Sequence, residues 1–73
     1  MARNILVKDL ASDSFLQVDE DSKGRTICSW ERLSLAYRFS SEHTATLMLD
    51  AYSRLHTGVF KNRVIQLIEM IEF

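Results

Sequence analysis

The chain has 73 residues, nine basic and ten acidic, for a net charge of −1, with 47% apolar and 26% charged residues. That length accommodates one domain, 1–73, with a small core and modest stability. The composition excludes an unstructured polyampholyte, and the balanced charge excludes a polycation that binds nucleic acid without selectivity.

No Pro and only two Gly, Gly24 and Gly58, punctuate the chain, so few turns and several continuous elements are expected. Asn4 to Lys8 carries Ile5, Leu6 and Val7 and reads as a strand; Ala11 to Ser14 reads as a turn. Phe15 to Glu20 predicts a second strand. Asp21-Ser22-Lys23-Gly24 is a turn sequence in which Gly24 supplies positive φ. Arg25 to Glu31 alternates, with Thr26, Cys28 and Trp30 on one face and Ile27 and Ser29 on the other, which completes a hairpin. Leu33 to Phe39 also alternates and reads either as a strand or as a loop ending in a short one.

Ser40 or Ser41 is placed to cap a helix, with Glu42 in its first turn. Ala45, Met48, Leu49, Tyr52 and Leu55 recur at helical spacing as one apolar stripe, and Gly58 is positioned to end the helix in a left-handed cap. Asn62 to Phe73 predicts a last strand, with Val64, Ile68 and Met70 on one side and Ile65, Leu67, Ile71 and Phe73 on the other. Both faces of that strand are apolar, so one should meet the helix and the other requires separate cover. The expected fold class is α+β: an antiparallel sheet of three to five strands with one helix packed on one face, in the order β-β-β-(β)-α-β.

Residue types that carry chemistry are sparse. Cys28, His43 and His56 are the only soft metal ligands and lack the close spacings of zinc sites, so no metal and no cofactor is expected. No nucleophile motif or Gly-rich phosphate loop is present, and so short a chain is not expected to enclose a ligand-sized pocket; no catalytic residue is assigned and the chain is not read as an enzyme. Asp19, Glu20 and Asp21 form an acidic group at the hairpin, with Asp9 and Asp13 as further acids nearby in sequence. The acids read either as a solvated turn or as a patch that docks on a basic surface. Trp30 reads as core or as the edge of a binding surface. Arg54, Lys61 and Arg63 gather after the helix, where they compensate its dipole or touch phosphates.

A lone cysteine forms no internal disulfide, and neither a secretory leader nor a run of about 18 apolar residues is seen. The expected compartment is therefore the reducing cytoplasm, away from membranes.

The segment from Phe15 to Leu55 carries F-L-Q-V-D-E-D (Phe15–Asp21), then Trp30, then A-Y-R-F-S-S-E (Ala36–Glu42) and a helix with Ala45 near its start. It resembles small phage and mobile-element proteins of accessory or inhibitor type, such as anti-CRISPR proteins. The resemblance implies a hairpin followed by a capped helix, and action by occluding a partner's surface; it assigns no functional residue. The leading expectation is a non-catalytic protein-binding module with contacts at Asp19, Glu20, Asp21 and Trp30. The alternatives are a structural protein that forms a homodimer through its last strand and, behind it, a nucleic-acid-binding protein using Arg54, Lys61 and Arg63.

Overall fold

In the computed structural model, which describes residues 2–72, the apolar run Ile5–Val7 lies inside strand β1 (Ala2–Asp9). A four-residue turn, with Asp13 at φ 56°, leads into β2 (Ser14–Glu20). Asp is one of the few side chains that adopt this left-handed conformation readily. The second turn uses Gly24 at φ 76°, as the sequence predicts, and returns the chain as β3 (Thr26–Glu31). Helix α1 (Glu42–Leu55), a single helical turn α2 (Thr57–Phe60) and β4 (Ile65–Glu72) follow. The sheet is antiparallel throughout, in the order β3-β2-β1-β4. The chain is thus α+β, with one main helix on a four-stranded sheet. No helix among the described residues is long and apolar enough to cross a membrane.

β1 pairs with β4 along its whole length but with β2 only at Lys8↔Phe15 and Asp9↔Ser14. Beyond Leu16 the two strands part, and residues 37–39 enter the gap. The Tyr37 N–H donates to the Leu16 carbonyl (2.9 Å), and Ile5 and Phe39 exchange both backbone hydrogen bonds (2.8 and 2.9 Å). The alternation of Leu33 to Phe39 is therefore not that of a full strand. Leu33–Leu35 forms an exposed 3-10 turn, and only the end of the segment finds unpaired backbone to join.

One sheet face and α1 enclose the core of Ile5, Val7, Leu16, Cys28, Phe39 and Ala45, with Leu49, Tyr52, Val59, Phe60, Ile65 and Leu67 packed around it. Ala45 is fully buried because its small side chain lets the helix approach the sheet closely. The helical stripe is only partly used: Leu49 and Tyr52 turn inward, whereas Met48 and Leu55 lie on the outer flank and Leu55 is 74% exposed. On the reverse face Leu6 lies opposite Ile68 and is buried. Lys8 covers part of that face itself, its ammonium 5.6 Å from the Phe15 ring centre and held by Asp13 at 2.7 Å.

Two boundaries differ from the sequence reading. α1 stops at Leu55 rather than at Gly58, because His56 leaves helical geometry (φ −127°, ψ 55°) while its N–H still donates to the Tyr52 carbonyl. Gly58 lies in α2 with no positive φ, and Asn62 takes the left-handed conformation instead (φ 62°), which delays the last strand to Ile65. Phe73 lies outside the described residues.

Ser41, not Ser40, caps α1: its hydroxyl accepts from the Thr44 N–H at 3.1 Å. Ser41→Ala should lower stability by about 1 kcal/mol in urea unfolding, whereas Ser40→Ala should leave the midpoint unchanged; equal effects would contradict this cap.

Candidate functional site

Trp30 projects from β3 toward α2. Its indole N–H donates to the Val59 carbonyl at 2.7 Å, its ring meets Phe60 edge-on at 5.7 Å, and the Arg63 guanidinium stacks over it at 5.2 Å. The indole N–H and part of the ring of this partly buried side chain are thus engaged inside the molecule. Arg63 in turn donates to Asp9 Oδ2 at 2.8 Å and, through Nε, to the Val59 carbonyl at 3.3 Å.

Asp9 is 1% exposed and accepts four hydrogen bonds. These come from Arg63, the Ser12 hydroxyl (2.7 Å), and the backbone N–H groups of Val64 (2.9 Å) and Ala11 (3.2 Å). The Arg63 guanidinium above all, with Ser12 and the two amides, holds this carboxyl well below the usual carboxylate range, against the opposing effect of burial. Asp9 therefore does not join an acidic surface with the hairpin. Asp13 does not either, being paired with Lys8.

The three hairpin acids have separate fates. Asp21 is folded into its own turn, accepting from the Lys23 and Arg25 N–H groups (2.8 and 2.9 Å) and from Arg25 Nε (2.9 Å). Those bonds, chiefly the one from the Arg25 amide, lower its pKa. Asp19 and Glu20 are exposed and have no ion pair among the described residues. Trp30 lies opposite Leu16, four residues along β2 from Glu20, so the structure does not bring it to the acids. The basic group after the helix is likewise dispersed: Arg54 pairs with Asp50 at 3.1 Å, Arg63 is committed to Asp9, and Lys61 alone is exposed without an ion pair among the described residues.

Glu20 lies instead in an open cleft of about 340 Å³ with Val18, Thr26, Tyr37 and Tyr52; Asp19 borders it, but strand alternation sets its side chain on the opposite face, beside Ile27. The end of the hairpin lies beside Tyr52 of α1, and the inserted residues 37–39 supply Tyr37. Burial, with Tyr37 and Cys28 nearby, pushes the Tyr52 phenol up, so it remains a neutral donor and acceptor. On the helix surface Met48 and Leu55 flank Tyr52 at the i−4 and i+3 positions, extending the cleft with an exposed apolar shoulder. Sequence reading finds the two acids but not the two tyrosines, because Tyr37 and Tyr52 reach the cleft only through the insertion of residues 37–39 and the docking of α1.

Cys28 is a core residue whose thiol is pushed up by burial. No group of three or more His, Cys, Asp or Glu is arranged to hold a metal ion among the described residues. The clefts described among these residues open to the surface. Comparison with protein-family models, with curated proteins and with solved structures finds no match in any of the three.

Two outcomes test this assignment of roles. Trp30→Phe should lose about 1 kcal/mol by leaving the Val59 carbonyl with one donor fewer; no change in the urea midpoint would mean the indole bond is idle. Because the folded pKa of Asp9 is depressed, its stabilisation is complete above the unfolded value of about 3.9 and declines as pH falls below it. Asp9→Asn should therefore flatten the stability profile between about pH 4 and pH 2. A wild-type and a variant profile of equal slope would refute this.

Proposed function

We propose that this chain is a non-catalytic protein-binding module that docks a basic, amphipathic segment of a partner in the cleft between the β2–β3 hairpin and α1. The observation that carries the reading is the exposed Glu20 carboxylate in one cleft with the Tyr37 and Tyr52 rings, with Asp19 at the rim, its side chain alternating to the other face of β2. Carboxylates attract a Lys or Arg head group, and tyrosine faces accept both its cation and its methylene stem. The Tyr37 ring packs on Phe39 at 4.7 Å, while neither tyrosine hydroxyl has a hydrogen bond among the described residues, which leaves both hydroxyls to a partner.

The shoulder of Met48 and Leu55 supplies apolar contact beside the charged rim. This division between charged and apolar halves suits a helix or strand with one basic and one apolar face. Occlusion of a partner's surface is also the mode of action implied by the resemblance of Phe15–Leu55 to phage and mobile-element accessory or inhibitor proteins. Cytoplasmic action, where nucleic-acid-handling enzymes expose such surfaces, fits the same reading. Asp21 is left out of the contact set because its carboxylate is bound within the turn, and Trp30 supports the fold behind the site.

A titration with a synthetic Lys/Leu amphipathic peptide, followed by backbone amide shifts, tests the site. Shifts should concentrate at Asp19, Glu20, Tyr37 and Tyr52, and Asp19→Lys with Glu20→Lys should weaken binding at least about tenfold, equivalent to about 1.4 kcal/mol. Asp21→Lys should instead lower stability. Unchanged affinity in the double reversal would dismiss the cleft.

A further inference from the structure

We propose that the outer edge of β4 pairs antiparallel with the same edge of a second copy, about a two-fold axis at Ile68, so that both molecules share one continuous sheet. The hydrogen-bond phase of the sheet fixes which groups are offered. The Leu10 N–H donates to the Val64 carbonyl at 2.8 Å, in step with the β1–β4 ladder, so the even-numbered residues of β4 bond toward β1. On the other side of β1, Ile5 bonds away toward Phe39, as this alternation requires. The N–H and C=O groups of Ile65, Leu67 and Ile71 therefore point outward along the edge.

This edge lacks most of the usual protections against pairing, its charged residues being Glu69 and Glu72. β4 contains no Pro, Lys or Arg, and its register with β1 runs from Asp9↔Ile65 to Ala2↔Glu72 without a bulge. The opposite edge, β3, is shorter and has α2 packed against it.

The same phase restricts the pairing to odd residues opposite odd residues. An axis at Ile68 places Ile65 opposite Ile71, and Leu67 opposite Glu69, of the second copy. An axis at Glu69 would set that carboxylate against its own copy, which is destabilising. An axis at Leu67 would shorten the overlap. With the axis at Ile68, the half-exposed Ile71 joins the apolar row of Ile65 and Leu67 on the helix face. On the reverse face Ile68 meets its own copy. Both apolar faces of β4 thereby gain neighbours. The cleft at Asp19 and Glu20 is on the far side of the sheet from this edge, so the two proposals fail independently.

Sedimentation at about 50 µM, where weak dimers populate, should report a dimer, unchanged by Asp19→Lys with Glu20→Lys. Ile71→Pro removes one outward N–H and spares the β1 ladder, the placement proline tolerates on an edge; it should give a monomer with an unchanged circular dichroism spectrum. Ile68→Cys should oxidise to a cross-linked dimer, since the directly opposed Cα atoms of such a pair lie about 4.5 Å apart, within disulfide range. Gln66→Cys, on the same face and also carrying buried Cys28, should not. A monomeric wild type, a dimeric Ile71→Pro, or equal cross-linking of the two cysteine variants would each overturn the proposal.

Discussion

The carboxylate of Asp9 ties together three parts of the chain, the end of β1, the turn after it and the segment that leads into β4. It closes the first turn through Ala11 and Ser12, and it receives Arg63 and the Val64 amide immediately before β4. It thereby determines where β4 begins against β1. That matters because a strand displaced by one residue would turn Ile65 and Leu67 away from the helix and present Gln66 to the core. A buried ion pair is not in itself a large source of stability, but one whose remaining acceptor capacity is filled by backbone amides specifies a register. Arg63 extends the same network to Trp30 and the Val59 carbonyl, so α2 and β3 are fixed by the residue that fixes β4.

The elements whose stabilising interactions are local were legible in the sequence. The Gly24 turn is one, since a positive φ at that point has a single inexpensive solution. The Ser41 cap is another, and the alternation of Thr26 to Trp30 correctly separates buried Cys28 from exposed Ile27. Leu33 to Phe39 misleads because alternation reports only which residues are apolar, whereas a strand also needs a neighbour with unpaired backbone. The neighbour this segment joins lies near Ile5 and Leu16, where β1 and β2 diverge. Gly58 misleads for a related reason: the helix stops at His56, and the Thr57–Phe60 turn is retained by its packing on Trp30.

The candidate site divides along the same line. Asp19 and Glu20 could be found because runs of acids are visible in one dimension. The distinction between them and Asp21 could not, because it depends on the amides that Asp21 meets once the turn has formed. Arg63 looks like part of a basic cluster with Arg54 and Lys61, yet its partner is 54 positions away in Asp9. Contacts of that range leave no periodicity and no local motif, so the residue at the centre of the fold and the two tyrosines of the cleft are equally hidden.

The insertion of residues 37–39 between β1 and β2 also governs the order in which the sheet can assemble. The β2–β3 hairpin is closed by neighbouring residues and can form as soon as it is synthesised. β1, made earlier, has only two paired positions with that hairpin and must wait for Phe39 and then for β4 before its backbone is satisfied. The contacts that complete the domain therefore join segments far apart in sequence, a topology that slows folding. During that interval the run Ile5-Leu6-Val7 is an unpaired apolar strand, and the domain is most exposed to misassembly at β1.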